Sequence, residues 1–331
     1  MSYISSARKV YDSLHSINFK KLLTGAAHDF DKMHQKLQKV FELDELRNSY
    51  VSEISKTINQ HIPFFSDDFK IFLKIKEVSY YYRNISSETV SHLFWIWDRG
   101  IELSDEKLNQ FVQALFLGVF GYKMIDYQKD NRSSNPELSF IGFYAIKVAE
   151  QLLENIFGKE ITAPVYLKYA RMYAQIEYEE KKNKNKPGIF SWDEQQKLGL
   201  KAAPTFIVYE SLFRYAGYSS KKIKDLINGL TYLSAAMQLV DDLADAKDDL
   251  ANGYETLVVQ GYYSRFGTSA AVSEESISKV LNQDRLKLVY KTGQNLFADA
   301  RKLIAKHNED MLQLIIEIQN LNFTTLFEVS K

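Results

Sequence analysis

The chain has 331 residues, 45% of them hydrophobic, with 42 basic side chains balanced by 42 acidic ones and no cysteine. That composition suits a globular protein with a sizeable core, offers no basic stripe for a nucleic-acid backbone, and excludes both disulfides and thiolate metal sites. No stretch reaches the roughly 18 uncharged residues of a membrane span, and the first twenty or so residues lack the apolar run of a secretory signal, so a cytoplasmic protein without an integral membrane segment is expected.

With only 14 glycines and 5 prolines, and with apolar residues recurring at helical spacing, the sequence predicts helices throughout. In chain order the clearest are 69–82, 108–130, 138–157 and 223–250. The acids Asp67 and Asp68 read as a helix start, where capping and the helix dipole favour them. The polar run 179–188 ends in Pro187-Gly188 and is predicted as a loop able to cover a site. Long helices with apolar residues on more than one face suit a single all-α bundle over 1–331, with peripheral helices in 1–60 and a functional core in 110–260.

The chemistry concentrates in Met237 to Thr256, where Asp241, Asp245 and Asp249 stand four apart and Asp242 adjoins the first. On one helix they share a face, with Cβ atoms about 5 to 6 Å apart, and repel unless something cationic sits between them. Asp126 and Asp130, again four apart, close a long apolar helix upstream. Acidic runs are commonly solvated helix faces, but two facing pairs suit magnesium ions that in turn bind a diphosphate.

Gln238-Leu-Val-Asp241-Asp242-Leu-Ala-Asp245 resembles the second aspartate-rich motif of the class I isoprenoid synthases, the superfamily of trans-prenyl diphosphate synthases and class I terpene synthases. Asp126-x-x-x-Asp130 stands where the first such motif would be. Gln175-Ile-Glu-Tyr-Glu179 resembles the family's Gln-x-x-x-Asp stretch, and Lys201-Ala-Ala-Pro204-Thr its diphosphate-binding lysine segment. Asp245-x-x-x-Asp249-x-x-x-Gly253 is also similar to the second motif of squalene and phytoene synthases, so either Asp241 or Asp249 completes the ligand set with Asp245.

The resemblance implies an all-helical isoprenoid synthase-like bundle with a central cavity open at its acidic end. It also implies about three magnesium ions on Asp126, Asp130, Asp241, Asp242, Asp245 and Asp249, an allylic prenyl diphosphate as substrate, and a homodimer. Of these, Asp126, Asp130, Asp241 and Asp245 take the catalytic role; Gln175, Lys201 and Gln238 would contact the diphosphate. Pro204, three residues after Lys201, is expected to disturb a helix and free carbonyls there.

Departures from the family bear on the reaction. The first motif has Ile125 before Asp126, paired arginines are replaced by Asn131-Arg132-Ser133-Ser134-Asn135, and no Gly-Gly-Lys-Arg stretch grips a second diphosphate. A cyclase is therefore expected, ionising an allylic diphosphate and folding the cation inside an aromatic cavity. Aromatic clusters lie at Tyr80–Tyr82, Phe94–Trp97 and Phe116–Tyr122, with Phe120 and Tyr122 as expected lining residues. The rivals are a prenyltransferase and a non-catalytic helical scaffold. Di-iron chemistry is disfavoured because no histidine has a glutamate three residues before it.

Overall fold

The computed structural model describes residues 2–15, 44–74, 89–129, 137–186, 196–269 and 271–328. Among these residues all regular structure is helical, α or 3-10, as the periodicity predicts. No helix among them is long and apolar enough to cross a membrane. The chain divides into two compact units, 1–163 and 164–331.

The first unit holds helices α1 (Tyr3–His15), α2 (Asp44–His61), α3 (Ser66–Phe72), α4 (89–98), α5 (Asp105–Lys129) and α6 (Glu137–Phe157). Asp67 and Asp68 occupy the first turn of α3 as expected. That helix stops at Phe72, however, and residues 75–82 of the predicted longer helix lie outside the described set. Helices α5 and α6 match 108–130 and 138–157 closely. They cross on glycine: a Cβ on Gly121 would lie 2.6 Å from the Gly142 carbonyl oxygen, and one on Gly142 would lie 2.7 Å from that of Gly121. Backbone thus meets backbone, which fixes the crossing point.

On another face of α5 an aromatic core forms. Phe120 is fully buried against Phe116, Phe69 and Phe65, at ring separations of 5.7, 5.8 and 6.0 Å. Tyr11 abuts both Phe94 and Trp97. Each such ring buries a large apolar area, and the edge-on geometries add to it.

Helix α7 (Lys159–Lys182) contains the division between the units, at Pro164. The rest of the second unit comprises α8 (Gln196–Gly199), a 3-10 turn (Leu200–Ala202), α9 (Ala203–Tyr215), α10 (Ser220–Ala244), α11 (Ala246–Ala251), α12 (Tyr262–Phe266), α13 (Glu274–Val280), α14 (Gln283–Ala305) and α15 (Asp310–Glu328). Helix α10 is its central member, packed on α8 and α14, while α14 also packs on α15. Gly229 lets Ile304 approach, with a Cβ there only 2.8 Å from Ile304 Cγ1, and Gly293 likewise admits the Phe323 ring. Ser219 and Asn282 cap α10 and α14 by accepting from the Lys222 and Arg285 amides.

Two expectations change in this unit. Residues 179–182, predicted as loop, complete α7, because Glu179, Glu180, Lys181 and Lys182 are good helix formers and the lysines suit the negative end of the helix dipole. Among the described residues of that run the turn covers 183–186. The predicted helix 223–250 breaks at Asp245, whose backbone (φ −97°, ψ 6°) ends α10 and starts α11.

Candidate diphosphate and cation site

The break at Asp245 does not lose the spacing of four: the Asp245 amide donates to the Asp241 carbonyl and that of Asp249 to the Asp245 carbonyl, each at 2.9 Å. It does rotate the acids apart in environment. Asp241 is exposed, Asp245 and Asp249 are half-buried, and Asp242 is only 2% exposed. Asp241 and Asp242 stand in the last turn of α10, at the negative end of its dipole, which disfavours carboxylates there. Several acids at such a position need positive charge nearby.

Lys201 supplies it. Its Nζ lies 2.6 Å from Glu180 Oε1, and the Lys201 side chain is 27% exposed. Three local features bring it there. At Gly199 a Cβ would fall 1.9 Å from the Thr231 carbonyl oxygen, so only glycine lets α8 lie against α10. The 3-10 turn that follows carries Lys201, and Pro204 sits in the first turn of α9, where no amide hydrogen is required. The expected disturbance at Pro204 is therefore this change from 3-10 turn to helix.

Burial would weaken the Lys201 ammonium, but the charges of Glu180, Asp242 and Asp249 outweigh it and hold the group well above the usual lysine range. Burial pushes the Asp242 carboxyl up to about 6, against the pull of Lys201 and of the Gln238 amide, which donates to Asp242 Oδ1 at 2.9 Å. Asp249 is pushed up to about 7 by burial and by the charge of Asp242. Glu180, Asp242 and Asp249 thus share one cationic partner and repel one another. Added positive charge would relieve that repulsion.

A cavity of about 30 Å³ opens beside these groups, lined by Glu180, Lys201, Asp242, Asn183 and Thr256 among others. It has room for a few waters or an ion. The Thr256 hydroxyl is shielded from solvent and has no hydrogen-bond partner among the described residues. Glu255, also buried, accepts from the Tyr263 amide at 2.7 Å. Burial, with help from Glu255, pushes the Tyr263 phenol up to about 12, and its hydroxyl donates to the Leu250 carbonyl.

Of the sequence-predicted residues, the structure brings together Lys201, Gln238, Asp242 and Asp249, with Asp241 and Asp245 close enough in charge to affect Asp242 and Asp249. Gln175 is exposed and donates to Glu179 at 3.0 Å. Asp126 and Tyr122 are half-buried on α5 in the first unit, and Phe120 belongs to the aromatic core there. Asp130 lies outside the described residues, as do Tyr80–Tyr82. Glu180 and Thr256 were not anticipated. In the sequence Glu180 stood only within the polar run 179–188, read as a loop able to cover a site, and nothing singles out Thr256.

Among the described residues no group of three or more carboxylate or imidazole side chains stands ready to hold a metal ion. Magnesium is typically held by one or two carboxylates together with phosphate oxygens and water, so a closed protein cage is not what its chemistry demands. No protein-family model matches the chain, and no curated protein matches it.

Proposed function

We propose that the chain is a magnesium-dependent class I terpene synthase that ionises an allylic prenyl diphosphate. The observation that carries the reading is the meeting of Lys201, Gln238, Asp242 and Asp249 in one half-buried cluster. These are the residues that the resemblance assigns to the diphosphate-binding lysine and the second aspartate-rich motif.

Asp241, Asp245 and Asp249, spaced four apart, would hold the metal together with diphosphate oxygens. Magnesium, when bound, supplies positive charge that stabilises diphosphate as a leaving group. Lys201 adds a donor cation for the departing oxygens. Gln238 keeps Asp242 oriented and its acceptor oxygen occupied. Glu180 holds the lysine in place until diphosphate draws on it. A cyclase is favoured over chain elongation because the sequence lacks the basic stretch that would grip a second diphosphate.

The test is to incubate the protein with magnesium and, in turn, geranyl, farnesyl, geranylgeranyl and geranylfarnesyl diphosphate, each with and without isopentenyl diphosphate, and to analyse extracts by gas chromatography and mass spectrometry. A terpene formed from one allylic diphosphate alone, and lost in Asp241→Ala, is the expected result. Longer prenyl alcohols that require isopentenyl diphosphate would make the chain a prenyltransferase. No turnover in any mixture would overturn the enzymatic reading.

A further inference from the structure

We infer that the second unit holds Lys201 in a self-inhibited state: the Glu180 carboxylate occupies its ammonium, and a clasp between Asn185 and Gly253 keeps Glu180 there. A diphosphate group engages the lysine only after this latch lets go. The inference rests on the proposed function in taking Lys201 as the diphosphate contact, and it adds to that reading a residue that opposes binding.

Two observations meet in it. The first is the ion pair. Lys201 Nζ lies 2.6 Å from Glu180 Oε1, with only 27% and 19% of the two side chains exposed, so water and salt screen the pair far less than they would a surface one. An incoming diphosphate must displace that carboxylate, because the two anions repel each other and seek the same ammonium. The cavity beside Lys201, about 30 Å³, holds a water or two and not a diphosphate.

The second is the way α7 ends. The Asn183 amide donates back to the Glu180 carbonyl at 3.0 Å, and two residues on the Asn185 amide donates across to the Gly253 carbonyl at 2.7 Å. Asn185 takes left-handed backbone to do so, with φ of 59°, which is unfavourable for any residue with a side chain though least so for asparagine. Gly253 is left-handed too, and a Cβ there would collide with Asn185 Oδ1. The Lys184 ammonium lies over the Tyr254 ring, 5.4 Å from its centroid. Asn183 and Lys186 from one turn and Tyr254 from the other line the cavity with Glu180 and Lys201. The clasp therefore ties the end of α7 to the cavity wall and holds Glu180 on the lysine. One backbone hydrogen bond from a strained residue is a fastening that can be undone. Latch and ligand compete, and the apparent affinity for a diphosphate falls with the fraction of molecules in which the latch is open.

Inorganic pyrophosphate is the probe, titrated into the full chain at pH 8 without added metal and followed by calorimetry, so that the lysine and not a magnesium ion is read. Glu180→Gln should tighten binding about tenfold, the size of a typical coupling between two sites. Asn185→Pro removes the donating amide and cannot adopt a positive φ, so it should tighten binding severalfold. Asn185→Gly keeps both and should bind as the parent does. Asp248→Asn, the same change of charge at an exposed position, should also bind as the parent does. Adding Lys201→Met to Glu180→Gln should abolish the gain. Circular dichroism checks folding, and if one latch variant does not fold the other decides.

Unchanged or weaker binding in a folded Glu180→Gln, unchanged binding in Asn185→Pro, or an equal gain in Asp248→Asn would overturn the inference, and so would pyrophosphate that binds no variant. Tighter binding in both latch variants without turnover of any prenyl diphosphate supports the latch while removing the proposed reaction. Turnover by the parent with no gain in either latch variant overturns the latch alone.

Discussion

Asp242 and Asp249 differ from ordinary surface acids because folding removes them from water and sets them beside each other's charge. Their carboxyls are raised in the folded chain, so the unfolded chain sheds its protons first as pH rises. The folded state then holds more protons, and stability, fullest below pH 4, falls as pH climbs through about 6 and 7. Asp249→Asn removes the less deeply buried of these penalties. It is expected to stabilise the metal-free protein at pH 8 by on the order of 1 kcal/mol, after allowance for solvent screening, and to have no such effect at pH 4. Urea titrations of both proteins at the two pH values check this; an equal effect at both would show that the carboxyl is not titrating as described. Glu210 shows the opposite outcome of burial. Burial alone would raise it, but donors on Lys168, Tyr169 and Arg214 surround it and hold it below the usual carboxylate range.

At the scale of elements, the candidate site depends on a single glycine contact. Gly199 lets α8 touch the backbone of α10, and the turn carrying Lys201 follows directly. Gly199→Ala forces a methyl group onto the Thr231 carbonyl, and neither backbone can give way without moving the lysine. A loss of about 2 to 3 kcal/mol in stability is expected, read by thermal or urea unfolding, together with a lower affinity for inorganic pyrophosphate in the presence of magnesium. Wild-type stability in this variant would mean that α8 adjusts freely. The long helices α5, α6 and α10 were legible from apolar periodicity, because burial on a 3.6-residue repeat is written directly in the sequence. The break at Asp245 was not. No proline or glycine marks it, and only the backbone angles of Asp245 reveal it. The same holds for 179–182, where charge suggested a loop but helix propensity and dipole prevailed.

For the whole molecule, all-helical character followed from composition and spacing, whereas the grouping of side chains required contacts between segments far apart in sequence. Asp242, Asp249 and Lys201 were each singled out from local motifs. Glu180, the ion-pair partner of Lys201, was missed because its role exists only once α7 lies near the turn at Lys201. Thr256 was missed for a related reason: a hydroxyl becomes notable only when folding strips it of water and partners. Phe120, by contrast, stands in an aromatic core with three other rings, the commonest fate of a phenylalanine on a long apolar helix.

The turn after α7 is fastened to the turn after α11: the Asn185 amide donates to the Gly253 carbonyl at 2.7 Å, and both residues adopt left-handed backbone, with φ of 59° and 91°. A contact closing so long a loop repays its entropy only after the intervening helices have docked. In kinetic terms, this clasp is expected to form in the last stage of folding. Pulse-labelling hydrogen exchange should find the Asn185 amide protected later than those within α10. The acids of the cluster would then stay hydrated and apart through most of the folding reaction, and their mutual repulsion would be felt only in the final step. That step would accordingly be faster at low pH, where the repulsion is absent.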